Sequence, residues 1–457
     1  MLEQIWNDRF LVLKKRISKL KENLENAEPF PRQQPLLTLA QNLEQFAEKH
    51  FKKFYEGFND GKLQTSDLYP PEHVLIVILE QIGFDLDALQ WAVDQRRVQD
   101  NPETINALAI ADKIGLQALQ PAIDGFELGN LTIIAYFQKF AEIRMIPYAQ
   151  VALLGIPYTC IPEPLNEDYL PVRRDYLAIP HQARHYVYWH SKNDKKPLRY
   201  HLAERFSGNN KPSWGMEWLE EIFADVYGCL IAGPVIARSF QDLQLRHSQK
   251  RFVEDDGEHP VPILRPDIYT KVLRKHFNND KADWAVEMNT KWVEKRNKRD
   301  QKFDGITPDR KFYYRENNQF IARHITDAIS PVDSNDDRLI DPKDDKPIDI
   351  MVNTILDILK PRLKPVGWWH DYFAGKAISD TYQLFSAQFK EGFETLEAPG
   401  EQFKSLSPAD LHALWLAESQ PNTLRVNNGE DEPPVWLPLF RAGGWATRGP
   451  DDNPTSG

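Results

Sequence analysis

A predominantly helical α+β fold is predicted by three features of the sequence. Apolar residues recur at helical spacing through several long segments, and Pro- or Gly-containing turns separate those segments. Only two short apolar runs, residues 131–137 and 150–157, are compatible with strands, so any sheet is small.

The elements follow in chain order. From Leu2 through Leu24, Leu13, Ile17, Leu20 and Leu24 mark one face of an amphipathic helix, which the turn Pro29-Phe30-Pro31 ends. Residues 36–58 repeat the pattern with Leu39, Leu43, Phe46 and Phe51, predicting an antiparallel helical hairpin. Helices are predicted over 73–93 and 102–126; residues 131–137 read as strand or buried helix, and 150–157 as a strand closed by Gly155 and Pro157. Pro180 favours a helix start just before His181, and that helix runs on to His190. A strongly apolar helix is expected over 218–236, with Gly228, Gly233 and Pro234 inside the apolar stretch. Residues 281–345 shift to charge and turn residues, including the acidic loop 333–337, which lacks the glycine and closing glutamate of a calcium loop. Helices return at 348–363 and 373–396, with a short one capped by Ser407, before a Pro- and Gly-rich arm carrying Trp436 and Trp445.

Composition narrows the function. The chain has 457 residues, a hydrophobic fraction of 41%, a charged fraction of 27% and a formal charge of −11. That charge argues against a nucleic-acid partner, because phosphate binding needs a basic face. The Lys291–Arg299 run is interrupted by Glu294 and reads as a solvated helix face. Two cysteines, Cys160 and Cys229, cannot frame a disulfide scaffold, and with neither a signal peptide nor a membrane span to read, a cytoplasmic protein is expected.

His181 and His185 lie four apart and share one helix face, so their imidazoles can both meet one metal ion. Glu221 on a second helix can add an anionic oxygen, and Asp225 one turn further can accept the second N–H of a ligating histidine and fix its tautomer. Tyr227 and Tyr269 could donate hydrogen bonds to a transition state, but read more simply as buried tyrosines satisfied by backbone. There is no G-x-S-x-G elbow, local cysteine-nucleophile signature or Gly-rich phosphate loop.

The ordered set His181-x-x-x-His185, Glu221-x-x-Ala224-Asp225 and His259-Pro260 with Arg265 resembles the gluzincin zinc metallopeptidases. The likeness is to the group of the heat-shock and prenyl-protein membrane peptidases and their small soluble relatives, and it covers roughly residues 150–270. It implies a zincin-like domain with a short sheet and an active-site helix flanked by helical regions. It also implies zinc held by His181, His185 and Glu221, Asp225 orienting a ligand histidine, and His259 and Arg265 facing an oxyanion. His190 matches a structural histidine of the group, and the strand 150–157 would be the edge that pairs with an extended peptide.

Gln182 stands where H-E-x-x-H has its general base, and Arg184 stands where a small residue is usual. An amide cannot take a proton from a zinc-bound water, and loss of a general base costs about 10²–10⁴-fold in rate. Three explanations stay open: a pseudopeptidase that kept its zinc, an isosteric substitution in an otherwise active enzyme, or a base supplied by Glu217 or Glu220. The expected function is therefore peptide-bond hydrolysis by an impaired zinc metallopeptidase, with a non-catalytic zincin-like binding or scaffold protein as the alternative. Peptide or protein substrates are implied, and protein partners could use the N-terminal helices or the C-terminal tail. The expected organisation is a helical region 1–140, a zincin-like core 141–280, a charged insertion or lobe 281–345, a helical region 346–420 and a tail 421–457.

Overall fold

The computed structural model describes residues 2–51, 55–56, 59–60, 73–97, 102–128, 131–138, 144–148, 151–158, 178–193, 196–206, 213–257, 259–277, 284–302, 311–316, 319–330 and 346–363. Cys160, the acidic loop 333–337, the helices expected beyond residue 363 and the tail 421–457 lie outside them.

A three-stranded sheet sits between two helical layers. Its strands are β1 (Thr132–Gln138), β2 (Arg144–Tyr148) and β3 (Val151–Pro157), in the order β1-β3-β2, with β1 parallel and β2 antiparallel to β3. Strand side chains alternate between faces, and here both faces are apolar. Ile134, Tyr136, Val151 and Leu153 pack toward α1 (Leu2–Glu25), α2 (Gln33–Phe46) and α3 (His73–Arg97). Ile133, Ala135, Phe137, Ala152, Leu154 and Ile156 join the larger core with α4 (Pro102–Phe126) and the helices that follow. The ambiguous run 131–137 is thus a strand, and its burial on both faces explains why it lacks the alternation of a half-exposed one.

One expectation is corrected here. The strand expected at 150–157 is β3, the centre of the sheet, and β2, for which no strand was expected, forms the antiparallel edge beside it. Burial on both faces is what a central strand requires, and all seven residues of β3 are buried.

Three helices carry the motif residues: α5 (Ala178–His190), α8 (Leu219–Ala232) and α11 (Arg265–His276). Between α5 and α8 lie the short β4–β5 hairpin (Lys192–Asn193, Lys196–Pro197) and the helices α6 (Leu198–Phe206) and α7 (Ser213–Glu217). α8 is apolar almost all round and buried along its whole length except at Glu220, as a helix in the centre of a core must be. It crosses α5 at Gly228, where an added Cβ would come within 3.2 Å of the His181 Cα.

The helix expected over 218–236 is two helices. Gly233 takes φ 66° and its N–H bonds Cys229 O, ending α8, and Pro234 opens α9 (Pro234–Gln244) at a position where its missing N–H costs nothing. After α10 (Gln249–Val253) and α11, α12 (Trp284–Lys302) sends Trp284, Ala285, Met288 and Trp292 into the larger core. Through its described residues the charged stretch thus contributes to the core of the preceding region. The hairpin β6–β7 (Lys311–Glu316, Gln319–His324) continues it through Phe312 and Tyr314. A short α13 (Ile325–Ala328) and α14 (Pro347–Leu359), which packs on α8 and α11, complete the described fold. No described helix is long and apolar enough to cross a membrane.

Candidate functional site

The residues singled out by the sequence converge. His181 Nδ1 lies 3.2 Å from Asp225 Oδ1, and its Nε2 lies 3.6 Å from Glu221 Oε2. Arg265, at the first turn of α11, donates from Nε to Asp225 Oδ2 at 3.0 Å and from a terminal nitrogen to Asp225 Oδ1 at 2.8 Å and Glu221 Oε2 at 3.1 Å. Tyr269, one helical turn beyond Arg265, donates to Asp225 Oδ1 at 3.2 Å, and the Phe240 ring lies under the Arg265 guanidinium at 4.6 Å. Spacing explains the convergence: Glu221 and Asp225 share one face of α8, as Arg265 and Tyr269 do on α11.

His185 is held from both sides. Its Nδ1 lies 2.6 Å from Glu220 Oε1, which also accepts from Trp189 Nε1 at 3.0 Å. Its Nε2 lies 2.6 Å from a terminal nitrogen of Arg184. Arginine can only donate, so Nε2 must carry the lone pair and Nδ1 the proton given to Glu220; this network assigns the tautomer. Burial and the adjacent guanidinium push the ring below the usual histidine range against the pull of Glu220, leaving it neutral near pH 7.

Arg184 is the residue whose part the sequence reading missed. Its side chain is fully buried and donates to Glu220 O at 2.8 Å, to His185 Nε2 and to Glu221 Oε1 at 2.5 Å. The signal was present: residues 181, 184 and 185 follow i, i+3, i+4 spacing and share one helix face. Glu220 is engaged elsewhere. As a base it would have to be free, yet its carboxylate is taken up by His185 and Trp189, while Glu217 is exposed.

Electrostatics reinforce the arrangement. Burial alone would raise the Glu221 carboxyl, but Arg184 above all, then His259, His181 and Arg265, holds it well below the ordinary carboxylate range. Asp225 is likewise lowered, because Arg265 and His181 outweigh its burial. His259 sits at the rim, 3.9 Å from Glu221 Oε1 and 2.9 Å from Asp256 Oδ2, with 41% of its side chain exposed. Desolvation would lower its pKa, but Glu221 and Asp256 overcome that and raise it to about 9.

The other expected residues have plain roles. Gln182 is half-buried on α5 beside the cluster. His190 stacks on Tyr186 with ring centroids 4.3 Å apart, in keeping with a structural part. Tyr227 donates to Ala118 O at 2.7 Å, a buried tyrosine satisfied by backbone. Cys229 is buried and its thiol is pushed well up by burial and Asp225, which disfavours a nucleophile.

Two imidazole nitrogens and a carboxylate are donor types that zinc accepts. Their arrangement with Arg184 is a poor fit to the ion. Zinc lies about 2.0–2.2 Å from each N or O ligand, whereas the guanidinium already lies between His185 Nε2 and Glu221. Among the described residues no group of three such donors encloses an ion-sized point. What the arrangement does supply is a closed set of charge-assisted hydrogen bonds linking α5, α8 and α11.

No family model matches the chain, and no curated protein or solved structure matches it.

Proposed function

We propose that this chain is a zincin-like protein without peptidase chemistry, a scaffold that engages peptide or protein segments and does not cut them. The observation that carries the proposal is Gln182 at the base position, on the same helix as His181, which meets Glu221 and Asp225, and His185, which meets Glu220 and Arg184. A base at that position must take and return a proton, and a primary amide does neither near neutral pH. β2, the antiparallel edge strand next to α5, is the element by which an extended segment could add to the sheet through main-chain hydrogen bonds.

A second reading, an impaired zinc metallopeptidase, is favoured by the tautomer of His185. With Nδ1–H given to Glu220, its Nε2 lone pair points inward, as a zinc ligand requires. In that reading His181, His185 and Glu221 hold the metal, Asp225 and Glu220 orient the imidazoles, and zinc supplies Lewis acidity.

A peptide-library digest separates the two. The wild-type chain is expected to leave all peptides intact, with and without added zinc. The double variant Gln182→Glu, Arg184→Gly in zinc is expected to gain cleavage by about 10²-fold or more over background. Zinc-dependent cleavage by the wild type overturns the proposal and favours the second reading.

A further inference from the structure

We infer that the Arg184 guanidinium is a built-in cation standing in the place of the metal, so that this site holds its histidine and carboxylates together without zinc. The inference rests on the zincin-like reading of the site.

Three observations carry it. Arg184 is wholly buried, yet it is an arginine at a helix position from which a long side chain could have turned outward only by leaving its partners. Its donors end on His185 Nε2 and Glu221 Oε1, side chains of two residues that the metal reading takes as ligands, and on Glu220 O. A planar guanidinium with donors at fixed angles can bridge an imidazole and a carboxylate as a metal does, which an ammonium on a flexible stem does less well.

Charge points the same way. The innermost groups are two carboxylates, Glu221 and Asp225, facing two guanidiniums, Arg184 and Arg265. Those four charges cancel, and a divalent ion added among them would place a double positive charge beside Arg184 in a buried setting, where like charges repel strongly. Removing Arg184 leaves a net negative cluster with an inward imidazole lone pair, and that combination attracts zinc.

The test is zinc content after incubation with a small molar excess of zinc sulfate and desalting, measured by elemental analysis on the full chain, together with melting temperature in zinc and in chelator. The wild type is expected to retain less than about 0.1 equivalent and to melt at the same temperature in both. Arg184→Ala is expected to retain about one equivalent and to melt higher in zinc, and the added change His185→Ala is expected to abolish both effects. A folded Arg184→Ala chain that takes up no zinc overturns the inference. So does a wild-type chain holding about one equivalent that His185→Ala removes. Should Arg184→Ala fold only when zinc is present, the inference is supported, and should it not fold at all, the wild-type measurement decides. Zinc in an uncleaving wild type sinks this inference alone, whereas cleavage by a zinc-free wild type sinks the silent-scaffold proposal alone.

Discussion

Two buried arginine–carboxylate clusters in this molecule look alike and are built for different ends. In the first, Arg96 donates to Asp112 Oδ1 at 2.8 Å and to Ala135 O at 2.7 Å, Ala135 N donates to Asp112 Oδ1 at 2.6 Å, and Arg32 reaches Asp112 Oδ2 at 3.2 Å. In the second, Arg184 and Arg265 meet Glu221, Asp225 and an imidazole. The first cluster ends on the backbone of β1 and so fastens α3, α4 and the segment preceding α2 to the sheet. The second ends on side chains, and every acceptor of its inner arginine apart from one carbonyl is a group that could bind something else. A buried ion pair alone is therefore no sign of a site; what its donors terminate on is the informative part.

Asp112→Ala strands the Arg96 charge and frees the Ala135 N–H, and the expected loss of stability is the largest, about 3–5 kcal/mol by denaturant unfolding. No ligand should restore it. Arg184→Ala is expected to cost somewhat less, about 2–3 kcal/mol, because Glu221 keeps Arg265. Here zinc should restore the loss, and a cost unchanged by zinc would make the two clusters equivalent after all.

Smaller changes sharpen the picture. Gly228→Ala forces a Cβ to 3.2 Å from the His181 Cα and should separate α5 from α8 slightly, at about 1–2 kcal/mol, read from the thermal midpoint. The smallest effect is that of pH. His259 has a pKa of about 9 in the fold, above the ordinary value near 6.5, so its imidazolium favours the folded state. That contribution is complete below about pH 6.5 and is lost as pH rises through about 9. Unfolding curves of wild type and His259→Gln should thus differ at pH 6 and coincide at pH 10, and an NMR titration midpoint near 6.5 would contradict the pairing with Glu221 and Asp256.

Much of this was legible in the chain because it depends on spacing along helices. His181 and His185 at i, i+4, Glu221 and Asp225 at i, i+4, and the hydrophobic faces of α1, α3 and α4 are consequences of one periodicity. What could not be read depends on tertiary partners. The sheet order, which makes β3 central, follows from pairings far apart in sequence; the division of the apolar stretch at Gly233 turned on one backbone angle. Arg184 is the instructive case. Its place on the histidine face was readable, but whether a long cation turns into a cluster or out to water depends on acceptors 36 and 37 residues away.

Whether Arg184 stands where a metal would is tested most directly by a crystal structure of the wild-type chain grown with zinc, with diffraction collected on both sides of the zinc absorption edge. The expected result is no anomalous peak among His181, His185 and Glu221, and guanidinium density from Arg184 against His185 Nε2. An anomalous peak bonded to the two imidazoles and Glu221, with Arg184 turned away, would contradict it.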